Sequence, residues 1–170
     1  AGVGPNGRPY FAMELVRGGP ITKWCETKKL PVRERLRLFI LVCQAVQHAH
    51  EKGILHRDLK PTNILVTEID GQPVPKVIDF GIAKAIDATS IEEQSLLTQA
   101  GQVIGTPMFM SPEQIQGGME LDARSDVYAL GAVLYELITG LPPFDLAGAS
   151  KKGLNSIKEM ILEETPERPS

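Results

Sequence analysis

The chain has 170 residues, 42% of them hydrophobic, which suits one domain or a large part of one with a substantial core. A formal net charge of -3 and a pI near 5.7 give no general argument for nucleic acid or an anionic membrane as partner. The longest apolar run, Phe39 to Cys43, is far too short to cross a bilayer, so no membrane segment is expected within these residues. Cys25 and Cys43 fall in segments with helical patterning and read as packing thiols of a reduced chain rather than as a disulfide or a metal site. The sequence opens at Ala1 on a Gly/Pro-rich turn, which reads as a chain whose start lies elsewhere.

In chain order, Arg8 to Val16 reads as a strand, because Tyr10, Phe11, Met13, Leu15 and Val16 favour extended structure. Gly18, Gly19 and Pro20 punctuate it, and a short helix is expected over Thr22 to Thr27. Val32 to Lys52 carries a long helical pattern, with Leu36, Phe39, Ile40, Cys43, Val46 and His50 at three- and four-residue steps. Arg33, Glu34, Arg35, Arg37, Gln44 and Gln47 read as its solvated face, and Gly53 as the residue that ends it. Ile64 to Val66 and Lys76 to Ile78 are short apolar strands, joined by a loop with Asp70-Gly71 as turn signal. Residues 82 to 104 lack periodicity and read as a mobile loop. Asp126 to Thr139 is apolar nearly all round, the pattern of a buried helix, and Gly140 with Pro142-Pro143 stops it.

The chemistry concentrates in His56-Arg57-Asp58-Leu59-Lys60-Pro61-Thr62-Asn63 and in Asp79-Phe80-Gly81. A carboxylate, an ammonium and an amide share one short loop, and a second carboxylate follows one hairpin later. Phosphoryl transfer needs that set: a group to orient a hydroxyl, a cation near the transferring group, and oxygen ligands for Mg²⁺. The two runs resemble the catalytic loop and the magnesium loop of eukaryotic-type (Hanks-type) serine/threonine protein kinases, bacterial members in particular. The resemblance implies an α+β, protein-kinase-like fold. Most of it would be the α-helical C-lobe with the hinge strand, the N-lobe being largely absent. Residues 1–9 would then be a linker, 10–19 the hinge region, and 20–170 an incomplete C-lobe.

Carried over position by position, the resemblance has Asp58 accept the substrate hydroxyl proton or align the hydroxyl, while Lys60 contacts the transferring phosphate. Asn63 and Asp79 would bind Mg²⁺, or Mn²⁺, together with ATP, and His56 would pack beneath Phe80. Met13, the Glu14 carbonyl, the Val16 amide and Leu65 would frame the adenine. Lys60-Pro61 implies serine/threonine specificity, since tyrosine kinases usually carry Ala or Arg in place of that lysine. Gly105-Thr106-Pro107 and Ser111-Pro112-Glu113 resemble the loop that holds the peptide. In it Thr106 would lie near Asp58 and Lys60, Met110 would wall an apolar pocket, and Ser111 replaces the usual Ala. Kinases selecting upstream arginine often carry acidic residues where this chain has Thr62 and Pro20, so no strong preference of that kind is expected. Arg57 beside Asp58 implies switching by phosphorylation, with Thr98 the first candidate acceptor and a merely solvated Thr98 the alternative. Asp126 would hydrogen-bond the catalytic-loop backbone.

No Gly-rich phosphate loop, strand lysine or partner glutamate precedes residue 10. The distal arginine that pairs with the glutamate matching Glu113 is also missing, so Glu113 is expected to be solvated or unpartnered. The expected activity of the parent protein is ATP-dependent phosphorylation of serine and threonine in protein substrates. These residues alone are expected to be inactive and poorly soluble. Two alternatives are a pseudokinase acting as a scaffold and a small-molecule phosphotransferase of kinase-like fold. The peptide-holding segment disfavours the second. No nucleic-acid partner is expected, and the kinase domain is placed in the cytoplasm. Membrane anchoring by other parts, and oligomeric state, stay open.

Overall fold

A computed structural model describes residues 2–3, 9–10, 13–80, 107–117, 121–144 and 154–169. The elements are β1 (Gly2–Val3), β2 (Pro9–Tyr10), β3 (Gly19–Pro20), α1 (Ile21–Thr27), α2 (Val32–His50), β4 (Ile64–Ile69) and β5 (Gln72–Val77). They continue as α3 (Pro112–Gln116), α4 (Ala123–Thr139) and α5 (Leu154–Glu163), with 3₁₀ turns at Pro61–Asn63 and Pro107–Phe109. The fold is α+β, as expected. β1 and β2 pair antiparallel, and a second antiparallel sheet has the order β3-β4-β5.

α2 begins behind Pro31, whose extended backbone presents its carbonyl to the amides of Glu34 and Arg35. It ends as its glycine requires. Ile54 N–H bonds the Ala49 carbonyl and Gly53 N–H the His50 carbonyl, a Schellman closure with Gly53 at φ 72°. Its inward face is Leu38, Phe39, Val42, Val46 and Ala49, whereas Leu36 and Ile40, read as part of the apolar stripe, are exposed. The main core joins Ile21 and Cys25 of α1 and Leu38, Phe39, Val42 and Val46 of α2 to Leu59, Ile64 and Val66. Phe109 and α4 residues Ala129, Leu130, Ala132, Val133 and Leu137 complete it. Each large aliphatic side chain buried there contributes about 1.5–3 kcal/mol. A smaller cluster, Ile115, Phe144, Ile157 and Ile161, holds α3 against α5, with Met110 packed on it.

The β4–β5 hairpin turns on Asp70 and Gly71, both left-handed (φ 50° and 72°), the two-residue geometry whose twist matches antiparallel strands. Both strands run up to that turn, longer than the apolar runs alone implied. Pro73 and Pro75 lie in β5, which is the edge of its sheet among the described residues, where a missing N–H leaves no central ladder broken.

Three expectations need correction. The strand read over Arg8 to Val16 is confined, among the described residues, to Pro9–Tyr10; residues 13–18 have no regular structure. Met13 and Leu15 are 64% and 76% exposed, so extended propensity there has neither a partner strand nor burial behind it. α4 starts at Ala123 rather than Asp126, because the Asp122 carboxylate accepts the Arg124 amide as its N-cap. Nor is α4 buried all round: Val127 is exposed, although Ala129, Leu130, Ala132 and Val133 are core. Its end at Gly140, left-handed at φ 77°, is as read. Residues 82 to 104, read as a mobile loop, lie outside the described residues.

Candidate active site

The loop between α2 and β4 is shaped by one buried carboxylate. Asp126, 1% exposed in the first turn of α4, accepts the His56 amide on Oδ2 and the Arg57 amide on Oδ1, each at 2.8 Å. His50 Nε2, near the end of α2, reaches the same Oδ2 at 2.7 Å. The link read between Asp126 and this loop's backbone is therefore present, with His50 as a third contact. It holds Arg57 in the left-handed region at φ 65°, a conformation costing a residue with a Cβ about 1–2 kcal/mol.

Beyond Arg57 the loop presents Asp58. Lys60 Nζ lies 2.8 Å from Asp58 Oδ2, and Asn63 Nδ2 donates to the Asp58 carbonyl at 2.8 Å and to Oδ2 at 3.3 Å. The ammonium and the amide thus converge on one carboxylate that stays partly open to solvent. Asn63 is buried in the 3₁₀ turn, and its amide donor is turned to Asp58, which leaves Oδ1 as the acceptor.

Asp79 reaches this loop through Ile78. The Ile78 amide donates to the Asn63 carbonyl at 2.9 Å, and its carbonyl accepts from His56 Nε2 at 2.9 Å. The His56 ring, fully buried, lies 4.8 Å from the Phe80 ring, so the packing expected of this pair is present. Since Nε2 faces a carbonyl it carries the proton, and Nδ1 accepts the Asp58 amide at 3.3 Å. Burial holds the imidazole pKa below its ordinary 6.5, against the opposing pull of the Ile78 carbonyl and of the Asp126 and Asp58 charges. Asp79 is exposed and left-handed at φ 57°. The Asn63 Oδ1 and the Asp79 carboxylate are hard oxygen donors of the kind that suits Mg²⁺.

The segment Pro107–Gly117 lies against the same loop. Ser111, fully buried, caps α3: its hydroxyl accepts the Gln114 amide and the Gln114 Oε1 accepts the Ser111 amide. Ser111, at a position where the resemblance leads to Ala, thereby has a local reason. Gln114 Nε2 also donates to the Arg57 carbonyl at 2.7 Å. Glu113, expected to be solvated or unpartnered, accepts the Ser125 hydroxyl at 2.6 Å. Burial pushes its carboxyl pKa up, but hydrogen bonds from Ser125, its own backbone and Ser111, with the Arg124 charge, bring it below the ordinary value.

Of the residues read from sequence, Arg57, Asp58, Lys60, Asn63 and Asp79 are brought together by this network. Met13, Glu14 and Val16 lie on the irregular segment 13–18, with Glu14 ion-paired to Lys76, and Leu65 is half-buried on β4. Thr106, Thr98 and Gly81 lie outside the described residues. Two residues were missed. Arg35, assigned to a solvated face, donates to the Leu30 carbonyl at 2.9 Å and to the Leu137 carbonyl at 2.8 Å. Gln114 carried a readable signal, the Ser-x-x-Gln capping pattern.

A carboxylate beside an ammonium, joined through the hydrogen-bonded Ile78 backbone to a second carboxylate, is a grouping whose chemistry suits phosphoryl transfer. The protein kinase domain family matches residues 4–169, and the chain belongs to it. It is 45% identical over 138 residues to the serine/threonine-protein kinase PknB of Mycobacterium leprae, covering 80% of this chain and 21% of that protein. Pkn1 of Myxococcus xanthus, a serine/threonine-protein kinase, is 44% identical over 142 residues, 83% of this chain and 20% of its own length. Another from that organism, pkn3, is 41% identical over 168 residues, 97% of this chain and 29% of its own. The chain therefore spans between a fifth and a third of the length of these relatives. Among the described residues no helix is long and apolar enough to cross a membrane.

Proposed function

We propose that the protein carrying these residues transfers the terminal phosphoryl group of ATP to serine or threonine hydroxyls of protein substrates. The observation that supports this most is the convergence of Lys60 and Asn63 on the Asp58 carboxylate, with Asp79 on an arm fixed to Asn63 and His56. Asp58 orients the attacking alcohol and holds its proton at Oδ1 or Oδ2. Lys60, already paired with Asp58, places positive charge where the phosphoryl oxygens gather negative charge. Asn63 Oδ1 and the Asp79 carboxylate would hold Mg²⁺, which, when bound, neutralises charge on the nucleotide phosphates. In this reading segment 13–18 and Leu65 frame the adenine and residues 107–117 support the peptide, and Thr106, outside the described residues, keeps the catalytic role that the kinase resemblance implies. Arg57 receives a phosphate on Thr98 in the active state.

The test uses the full-length protein, γ-labelled ATP and serine- or threonine-containing protein substrates. Wild type labels them; Asp79→Ala abolishes labelling, and Asp58→Asn lowers it by about 10²–10⁴ fold. Undiminished labelling by either variant refutes the roles assigned. Tight ATP binding with no transfer by wild type would make the protein a binding module instead.

A further inference from the structure

Arg57 is the strained residue of the site, and its peptide groups are clamped from both sides. Its amide is held by Asp126 on α4, and its carbonyl by Gln114 Nε2 on α3. A non-glycine residue stays left-handed only where its surroundings over-determine it. Asp58 is the next residue, so rotation about Arg57 would swing the carboxylate away from Lys60 and Asn63. Gln114 is itself immobilised: its Oε1 accepts the amide of buried Ser111, so both ends of the amide group are used and its plane is fixed.

We propose that Gln114 is a positioning residue: by holding the Arg57 carbonyl it aims Asp58 and ties the peptide-side segment 107–117 to the loop that carries the carboxylate. The role rests on the kinase reading for its kinetic consequence but not for its structural one. A substrate peptide pressing on segment 107–117 is then felt at Asp58 through one side chain. Ser111 supports this indirectly, by fixing the rotamer of Gln114.

Gln114→Glu isolates the bridge, because a carboxylate still accepts the Ser111 amide but cannot donate to the Arg57 carbonyl. Gln114→Met removes both contacts at nearly constant length. In the full-length protein both variants are expected to lower kcat for peptide phosphorylation about tenfold with KM for ATP unchanged, and Tm falls further in Gln114→Met, which also leaves the buried Ser111 amide unpaired. In an Asp58→Asn background Gln114→Glu should add no further loss, since there is no carboxylate left to aim. Hydrogen exchange provides a readout independent of activity: amides of residues 56–59 should exchange at least tenfold faster in Gln114→Glu, with those of α2 unchanged. Unaltered kcat in either variant of an active enzyme overturns the proposal, as does an equal loss in the Asp58→Asn background. If wild type transfers no phosphoryl group, the kinase reading falls, and the exchange rates alone decide: acceleration keeps the bridge, and unchanged rates remove it.

Discussion

Asp126→Asn is the sharpest perturbation of the loop geometry. The wild-type carboxylate accepts three N–H groups, from His56, Arg57 and His50, at 2.7–2.8 Å in a site 1% exposed. The asparagine amide has one acceptor oxygen. If its NH₂ replaces Oδ1 it meets the Arg57 N–H, and if it replaces Oδ2 it meets the His56 N–H. Either way one buried backbone donor is left unsatisfied, at about 1–3 kcal/mol, and the remaining bonds lose charge assistance worth about 1 kcal/mol more. The expected destabilisation is about 2–4 kcal/mol, or about 5–15 °C in Tm for a domain of this size. Urea denaturation with a two-state fit measures it, and hydrogen exchange should place the loosening at His56 and Arg57. A change below about 0.5 kcal/mol, with those two amides still protected, would refute the claim that this carboxylate shapes the loop.

His56 makes stability depend on pH. Its folded pKa lies below the ordinary 6.5, so the unfolded chain binds the proton more readily, and its contribution is complete above about 6.5 and lost as pH falls through the folded value. The unfolding free energy of wild type should therefore decline on acidification below about pH 6.5, and His56→Gln should flatten that part of the profile; parallel profiles would contradict it. Gly18→Ala would place a Cβ 2.5 Å from the Val66 carbonyl oxygen, backbone against backbone, and should cost about 1–3 kcal/mol in urea titrations. An alanine variant as stable as wild type would mean that β4 yields freely there. Arg35→Met keeps the stem but leaves the Leu30 and Leu137 carbonyls without their guanidinium donor, the latter in the last turn of α4. A loss of about 2–4 kcal/mol is expected from thermal and urea melts, and a loss under 1 kcal/mol would return Arg35 to the solvated face first assigned to it.

What was legible in the sequence follows from which forces are local. Asp70-Gly71 specifies its turn by backbone sterics alone, and Gly53 ends α2 the same way, so both were read correctly. That Asp58, Lys60 and Asn63 lie together was legible because they are close in sequence. The strand over Arg8 to Val16 failed because extended structure needs a paired neighbour, and propensity does not supply one. β4 and β5 were read too short because only their apolar runs were counted, whereas the ladder between them continues to the turn. Arg35 was invisible because it bonds a carbonyl 102 residues off, and no periodicity encodes such a partner; the cap made Gln114 readable, but not its bond to the Arg57 carbonyl 57 residues away.

The backbone of Ile78 is pinned on both sides, its amide to the Asn63 carbonyl and its carbonyl to the His56 ring. A pinned unit works as a strut. Thermal jostling of the hairpin beyond it is stopped before it reaches the acidic tip, and any swing of that tip must come from the two torsions of Asp79 itself. The distance from the Asp79 carboxylate to Asn63 is thus set by residue 79 itself, so a substitution that merely shifts the local preference there, even one keeping the charge, should move the carboxylate while Asn63 stays in place.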